Sequence, residues 1–286
     1  KAISLEENYD KAVYNLGTSF YLLGQYNNAF EEFKKTEFGK SQSYALACLF
    51  FQNKRDQFFS QLDYLISNKV TNPIVGSLVS RAAIRYKEEK KNLYCEEPLS
   101  YVVTQSLDTV CDFKNIFRKP TNRILLSERL PNKSQALLNN GLQTAGDLFS
   151  FNDPALGKIK NIIKGELENY KTFFSDRSDG IIKKWPEEYE LNAWLVSIKS
   201  GGNLMPHMHE NGWLSGSIYI NVPTELKDNS GDLVVCLDDT LGAPYLEDGT
   251  RKIIPVNTGT LVIFPASLLH YTIPFKSTED RIVLAF

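Results

Sequence analysis

Histidine, cysteine and long apolar runs are all scarce in this sequence of 286 residues. The four cysteines lie far apart and form no C-x-x-C pair, which argues against a zinc or disulfide framework and favours free thiols in a reducing compartment. We therefore expect a cytoplasmic protein. No apolar run approaches the roughly 20 residues that span a bilayer, and the formal net charge is only −2. We expect neither a membrane nor a nucleic acid as partner.

Apolar residues in the first part of the chain recur at helical spacing. Leu16 and Phe20 lie about one turn apart, Gly24 interrupts the pattern, and Ala29 and Phe33 belong to a second apolar face. This order of small and aromatic residues is similar to that of the tetratricopeptide repeat, a helix-turn-helix unit of about 34 residues. The pattern predicts two helices that pack closely against each other.

We predict that residues 1–115 form a helical domain of tetratricopeptide-like repeats. A weaker second unit follows at residues 46–66, and a third helical pair is predicted over residues 73–87 and 98–111. A generic helical bundle is the alternative. Because stacked repeats present concave surfaces to extended chains, a protein or peptide is the expected partner of this domain.

The second part of the chain has a different periodicity. Residues 117–131 are predicted to be a linker with a turn at 119–122, and an amphipathic helix is predicted over 154–174, where it would cover one face of a sheet. Trp194, Val196 and Ile198 then alternate with their neighbours, as in a strand. Further strands are predicted at 213–222, 232–237, 252–256, 260–264, 269–273 and 281–286. The fold class is therefore α+β, with an antiparallel sandwich or open barrel of jelly-roll type.

All three histidines of the chain fall in this strand-rich part. His207 and His209 are separated by one residue, and residues i and i+2 of a strand point to the same side. His270 lies on a later strand, which an antiparallel barrel can bring opposite the first two. Imidazole is a common ligand of iron, zinc and copper. A shared metal site explains this placement better than three unrelated, separately hydrogen-bonded histidines do.

The residues around these histidines resemble the iron(II)/2-oxoglutarate-dependent oxygenases. The resemblance is greatest to a branch with an H-x-H…L-S-G-x-x-Y pattern, some members of which carry tetratricopeptide repeats. It rests on His207-Met208-His209, Leu214-Ser215-Gly216-Ser217-Ile218-Tyr219, Gly259 to Pro265, His270 and Arg281. The resemblance implies a double-stranded β-helix, cupin-like, for the second domain, which we place at residues 116–286.

The resemblance also implies a set of metal ligands. Members of the superfamily hold iron(II) with a histidine, a carboxylate two residues later and a distal histidine, which corresponds to His207 and His270 here. The carboxylate position is occupied by His209. We predict that His209 is the third ligand because its spacing is right; Glu210 as ligand, and a site with only two protein ligands, remain the alternatives.

Further residues are implied as contacts of the cosubstrate. Arg281 corresponds to the arginine that pairs with the far carboxylate of 2-oxoglutarate, a role that suits a planar guanidinium, although a surface arginine paired with a neighbouring acid is the alternative. Tyr219 is predicted to contact the same carboxylate. Trp194, Asn203 and Ser215 are weaker predictions for the lining of the substrate pocket.

The function implied by the resemblance is that of a dioxygenase, an oxidoreductase of the hydroxylase type. It would use Fe(II), 2-oxoglutarate and O2 to hydroxylate a C–H bond of a protein, peptide or small molecule, with release of succinate and CO2. Two alternatives remain: a three-histidine metal dioxygenase that needs no 2-oxoglutarate, and a non-catalytic ligand-binding module linked to the repeats. Arg281 discriminates against the three-histidine enzyme, which has no use for it, and metal analysis with titration of 2-oxoglutarate would separate the remaining functions.

Overall fold

The computed structural model describes residues 9–127, 131–133, 135–238 and 249–286. The chain divides into two compact units, Lys1–Glu96 and Glu97–Phe286. The sequence-based boundary after residue 115 lies later than this division. The difference arises because residues 103–106 pair with a strand of the second unit.

The first unit is helical. Its helices in the described part of the chain are α1 (Tyr9–Leu22), α2 (Tyr26–Phe33), α3 (Ser41–Phe51), α4 (Arg55–Ser67) and α5 (Pro73–Tyr86). Gly24 adopts a φ of 71° and allows the chain to reverse between α1 and α2. A Cβ added at Gly17 would lie only 2.8 Å from the Phe33 ring, so the absence of a side chain allows α1 and α2 to approach closely. The helical character predicted for this part of the chain is confirmed, whereas its assignment to tetratricopeptide repeats stays a prediction.

The helix predicted over residues 98–111 is wrong. This segment contains a short 3-10 turn at Pro98–Tyr101, a strand, β1 (Val103–Ser106), and a second 3-10 turn at Leu107–Thr109. Consecutive β-branched residues favour an extended backbone, and β1 gains the hydrogen bonds of a neighbouring strand.

The second unit contains two antiparallel sheets. Its remaining described strands are β2 (Asn132–Lys133), β3 (Leu138–Thr144), β4 (Trp194–Leu204), β5 (Leu214–Asn221), β6 (Leu233–Cys236), β7 (Arg251–Ile254), β8 (Thr260–Pro265), β9 (Leu269–Thr272) and β10 (Arg281–Ala285). A seven-stranded sheet has the order β1-β8-β5-β10-β4-β3-β2, and a three-stranded sheet has the order β7-β6-β9. The predicted strands are confirmed within a few residues at each end. Their arrangement as a double-stranded β-helix or jelly roll stays a prediction.

Three helices accompany the sheets: α6 (Lys119–Leu126), α7 (Pro154–Phe173) and α8 (Gly180–Lys183). The predicted linker and its turn are wrong where α6 forms. Pro120 lies in the first turn of this helix, a position at which proline is tolerated. The helix predicted over 154–174 is confirmed as α7, and its Tyr170 lines a groove together with Leu261 and Ile263 of β8. No helix in the described part of the chain is long and apolar enough to cross a membrane.

Candidate metal and anion site

A pair of backbone hydrogen bonds brings two distant histidines together. The amide of His207 donates to the carbonyl of His270 at 3.1 Å, and the amide of His270 donates to the carbonyl of His207 at 2.8 Å. This antiparallel bridge joins the chain that follows β4 to β9 in the other sheet. Backbone pairing therefore holds the two imidazoles side by side.

The three predicted histidines form one cluster. The ring centroids of His207 and His270 are 4.2 Å apart, and the ring of His209 stacks on that of His270 at 5.1 Å. One ring nitrogen from each residue lies within 4.8 Å of the other two. Three atoms at this spacing lie at most about 2.8 Å from a common centre, whereas a metal–imidazole bond is about 2.1 Å long. Side-chain shifts of under about 1 Å would therefore allow all three to bind one ion.

The orientation of His207 leaves one nitrogen available to a metal. Its Nδ1 lies 2.9 Å from the carbonyl oxygen of Met205. A carbonyl can only accept, so Nδ1 carries the proton and Nε2 keeps its lone pair. Hydrogen bonds of this kind fix the tautomer and the ring orientation of metal-binding histidines.

Burial keeps the three imidazoles neutral. It lowers the pKa of His209 from 6.5 to about 4, with a further contribution from His207. Burial likewise lowers the pKa of His207, and it lowers the pKa of His270 to well below its ordinary value. Only a neutral imidazole binds a metal, so the cluster is in its ligating form near pH 7. Nδ1 of His270 is buried and has no hydrogen-bond partner among the described residues.

Glu210 stands outside this arrangement. In the described part of the chain, the one cluster of three or more potential metal ligands consists of His207, His209 and His270. The geometry therefore favours His209, rather than Glu210, as the third ligand.

Arg281 is a buried cation at the other end of the same cleft. It is only 2% exposed, and its Nε and Nη2 have no hydrogen-bond partner among the described residues. The guanidinium carbon lies 4.8 Å from the centre of the Tyr219 ring. Burial lowers the pKa of Arg281, and Tyr219 and Asp232 oppose this effect. A buried guanidinium with free donors is suited to bind an anion.

The cleft that joins these groups has a volume of about 580 Å³, part of which is open to solvent. Trp194 lines it as predicted, and its ring lies 5.4 Å from that of His209. The described lining is Gln135, Gln143, Trp194, Val196, Ile198, Leu204, His207, His209, Ser217, Tyr219, Leu233, His270, Thr272, Arg281, Val283 and Ala285. Apart from Arg281 and the histidines, these side chains are uncharged.

Two residues predicted to line the pocket are absent from this lining. Asn203 instead accepts a hydrogen bond from Asn139 at 3.0 Å. Ser215 is only 3% exposed and pairs with Phe264, whose ring packs against His270. The strand register thus places Ser215 beyond the end of the cleft.

Sequence reasoning missed Ser217 and Ala285 among the lining residues. Both follow from the two-residue period of a strand, because Ser217 precedes Tyr219 by two positions and Ala285 follows Arg281 by four. Extending the alternation from the predicted cosubstrate contacts would have identified them.

Residues 192–286 match the sequence profile of a family described as "Putative 2OG-Fe(II) oxygenase". No match was found among curated proteins.

Several solved structures are similar to the chain. A prolyl-4-hydroxylase from Pseudomonas putida is 11% identical, with coverage of 73% of this chain and 96% of that chain and a TM-score of 0.43. A prolyl hydroxylase from Trichoplax adhaerens, in complex with a hypoxia inducible factor peptide fragment, is 10% identical, with coverage of 78% and 90% and a TM-score of 0.46. HygX from Streptomyces hygroscopicus, with nickel and 2-oxoglutarate bound, is 12% identical, with coverage of 67% and 85% and a TM-score of 0.42.

These structural likenesses are distant. The profile match is confined to the C-terminal part of the chain, which contains the three histidines and Arg281. The segment that holds the candidate site is therefore the segment that matches the 2OG-Fe(II) oxygenases.

Proposed function

We propose that this protein is an Fe(II)- and 2-oxoglutarate-dependent dioxygenase that hydroxylates a C–H bond of its substrate with release of succinate and CO2. The match of residues 192–286 to the oxygenase profile supports this function. One observation carries it: a single cleft holds three neutral imidazoles and a buried arginine whose Nε and Nη2 have no hydrogen-bond partner in the described part of the chain. A double-stranded β-helix is the fold that we propose for this unit.

Arg281 would hold the far carboxylate of 2-oxoglutarate. An incompletely paired buried cation is unfavourable, and Nε and Nη2 of this guanidinium have no hydrogen-bond partner among the described residues. A dicarboxylate supplies that partner through a bidentate, charge-assisted pair. Tyr219, whose ring lies against the guanidinium, would form one wall of this anion site.

The three histidines would hold the metal. His207 would bind through Nε2, since its Nδ1–H is engaged by Met205. His209 takes the place that a carboxylate has in the wider superfamily, so the bound ion would keep its full double charge. When bound, Fe(II) together with 2-oxoglutarate supplies the activation of O2 that leads to oxidation of a C–H bond.

The apolar wall of the cleft would limit access of water. Val196, Ile198, Leu233 and Val283 line it between the two ends. Because charges interact more strongly where water is excluded, this wall would strengthen the electrostatic attraction between Arg281 and a bound carboxylate.

Binding of 2-oxoglutarate under anaerobic conditions tests the proposal. Calorimetry should detect binding to the Fe(II)-loaded protein and much weaker binding after chelation, because the metal and Arg281 hold opposite ends of the diacid. Succinate should then form when O2 is admitted. Metal-loaded protein that binds no 2-oxoglutarate and forms no succinate would refute the function.

A second candidate is a three-histidine dioxygenase that does not use 2-oxoglutarate. The observation that favours it is the all-histidine cluster, which contains no acidic member among the described residues. Such an enzyme would bind a metal and consume O2 with no requirement for 2-oxoglutarate. O2 uptake with and without 2-oxoglutarate separates the two candidates.

The helical unit is proposed to dock a protein or peptide partner through tetratricopeptide-like repeats. Leu22 and Leu23, at the end of α1, are 78% and 70% exposed and offer an apolar contact. Replacing Leu23 with Asp should weaken binding of a protein substrate while binding of 2-oxoglutarate is unchanged; equal substrate binding would rule out this contact. A cytoplasmic location is also proposed, and the four free cysteines support it.

A further inference from the structure

Strand pairing arranges the cleft-facing side chains of the seven-stranded sheet in rows. Three rows result: Ile198 with Arg281; Val196, Val283 and Tyr219; and Trp194, Ala285 and Ser217. We name these the anion row, the middle row and the small row. Arg281 and Ala285 are four residues apart on β10, so the first and third rows are separated by about 13 Å.

The histidine cluster lies at the small-row end of the cleft. The ring of Trp194 is 5.4 Å from that of His209, and His209 in turn stacks on His270. A diacid held by Arg281 and reaching the metal would occupy the anion and middle rows. The small row is then the part of the wall that borders the metal and is not covered by the diacid.

The small row leaves room for another molecule. The middle row presents two valines and a tyrosine, whereas Ala285 and Ser217 place only small side chains beside the indole of Trp194. Their small size opens space next to the metal ligands. That space is where a reacting C–H bond must lie.

The chemistry of this wall restricts what can enter. Apart from Arg281 and the histidines, no charged side chain is found among the described lining residues. A charged substrate group would therefore be buried without a partner, which is unfavourable. Gln143 lies opposite Val196 on the neighbouring strand, beside the middle row, and adds an uncharged polar group to the lining.

We infer that the small row is the substrate subsite and that it takes an uncharged aliphatic group. Ala285 sets the size of this subsite. The inference rests on the proposed function, because it assumes that a diacid occupies the Arg281 end.

Saturation-transfer NMR on the full chain, loaded with Zn(II) and 2-oxoglutarate, tests this inference. The probes are the acetylated N-methylamides of alanine, valine and leucine, each compared with its free-acid and free-amine counterparts. We expect saturation transfer to at least one neutral probe and none to its charged counterparts. Ala285→Leu should weaken binding about tenfold or more by filling the space, and Ala285→Val should have a smaller effect in the same direction. Lys199→Ala, at an exposed position of the same sheet, should bind the neutral probe as the wild type does.

The result can be told apart from a failure of the proposed function. Calorimetry on the same samples reports binding of 2-oxoglutarate, and it also shows that each variant is folded. If 2-oxoglutarate binds but no neutral probe does, or if Ala285→Leu binds the probe as well as wild type, the subsite is wrong. Preferred binding of a charged probe would overturn it too. Loss of 2-oxoglutarate binding in the wild type would instead overturn the proposed function.

Discussion

Replacing Arg281 with Met separates the effect of this side chain on stability from its proposed binding of 2-oxoglutarate. The substitution keeps an unbranched chain of similar length and removes the charge. In the ligand-free protein the guanidinium is buried with Nε and Nη2 unpartnered among the described residues. Removing such a group should leave the ligand-free protein at least as stable as the wild type, because an incompletely paired buried charge is unfavourable.

The same substitution should strongly weaken binding of 2-oxoglutarate. Losing one partner of a buried, hydrogen-bonded charge pair costs about 2 to 5 kcal/mol. Taking about 3 kcal/mol, the dissociation constant should rise roughly a hundredfold. Arg281→Lys keeps the charge but loses the planar fork, so its effect should be smaller.

Two measurements on the same preparations check this expectation. Calorimetry with Zn(II)-loaded protein gives the affinity for 2-oxoglutarate, and thermal unfolding without 2-oxoglutarate gives the stability. Wild type should gain about 2.7 kcal/mol at a ligand concentration of 100 times its dissociation constant, whereas Arg281→Met should gain only about 0.4 kcal/mol at that same concentration. Arg123→Ala is the control, because Arg123 lies at an exposed ion pair with Asp153. If Arg281→Met binds 2-oxoglutarate within about threefold of wild type, the anion site is assigned wrongly.

Three further predictions concern the metal ligands, pH and the helical unit. His209→Ala should lower the affinity for Fe(II) by about a hundredfold or more, whereas Glu210→Ala should bind Fe(II) nearly as wild type does. Metal titration with a competing chelator measures both affinities. A large loss in Glu210→Ala and none in His209→Ala would make Glu210 the third ligand. The metal-free protein should lose stability as pH falls from 6.5 towards 4, because the unfolded chain binds protons at His207, His209 and His270 that the folded chain excludes. A melting temperature that is flat over this range in the wild type, or that falls just as steeply in His209→Ala, would contradict this. Gly17→Ala places a methyl group about 2.8 Å from the Phe33 ring and should destabilise the helical unit by about 1 to 3 kcal/mol in denaturant unfolding; unchanged stability would show that α1 and α2 separate without strain.

The sequence predicts the parts of the fold in which one face of an element is apolar. The alternation of Trp194, Val196 and Ile198 gives β4 correctly, and Ile159 and Ile163 give α7. Each of these segments repeats its own period over several residues, so local pattern and final structure agree. The three histidines cluster although only His270 lies on a strand, β9; His207 forms an isolated bridge beyond β4, and His209 lies outside the described strands.

Strands at or next to the edges of the seven-stranded sheet were not predictable in the same way. β3 has the sequence Leu-Asn-Asn-Gly-Leu-Gln-Thr and shows little apolar alternation. Its strand conformation comes from pairing with β4, which is a tertiary interaction. β1 lies at the edge of its sheet and is stabilised by β8. Neither partner could be identified from local sequence alone.

Which individual residues line the cleft depends on the register of the paired strands. Trp194 and Ser215 both lie on strands of the cleft, yet only Trp194 is among its lining residues, because Ser215 lies beyond the end of the cleft. The bridge between His207 and His270 sets where the cleft ends, and that pairing spans more than 60 residues of chain. Sequence patterns give the face on which a side chain lies, but not its position along the cleft.

The most direct measurement is a crystal structure of the chain soaked with Fe(II) and 2-oxoglutarate under anaerobic conditions, with anomalous data collected at the iron edge. We expect one anomalous peak about 2.1 Å from a nitrogen of each of His207, His209 and His270, and the far carboxylate of the diacid on Arg281. A peak that lacks one of these imidazoles, or a diacid bound away from the guanidinium, would contradict the account.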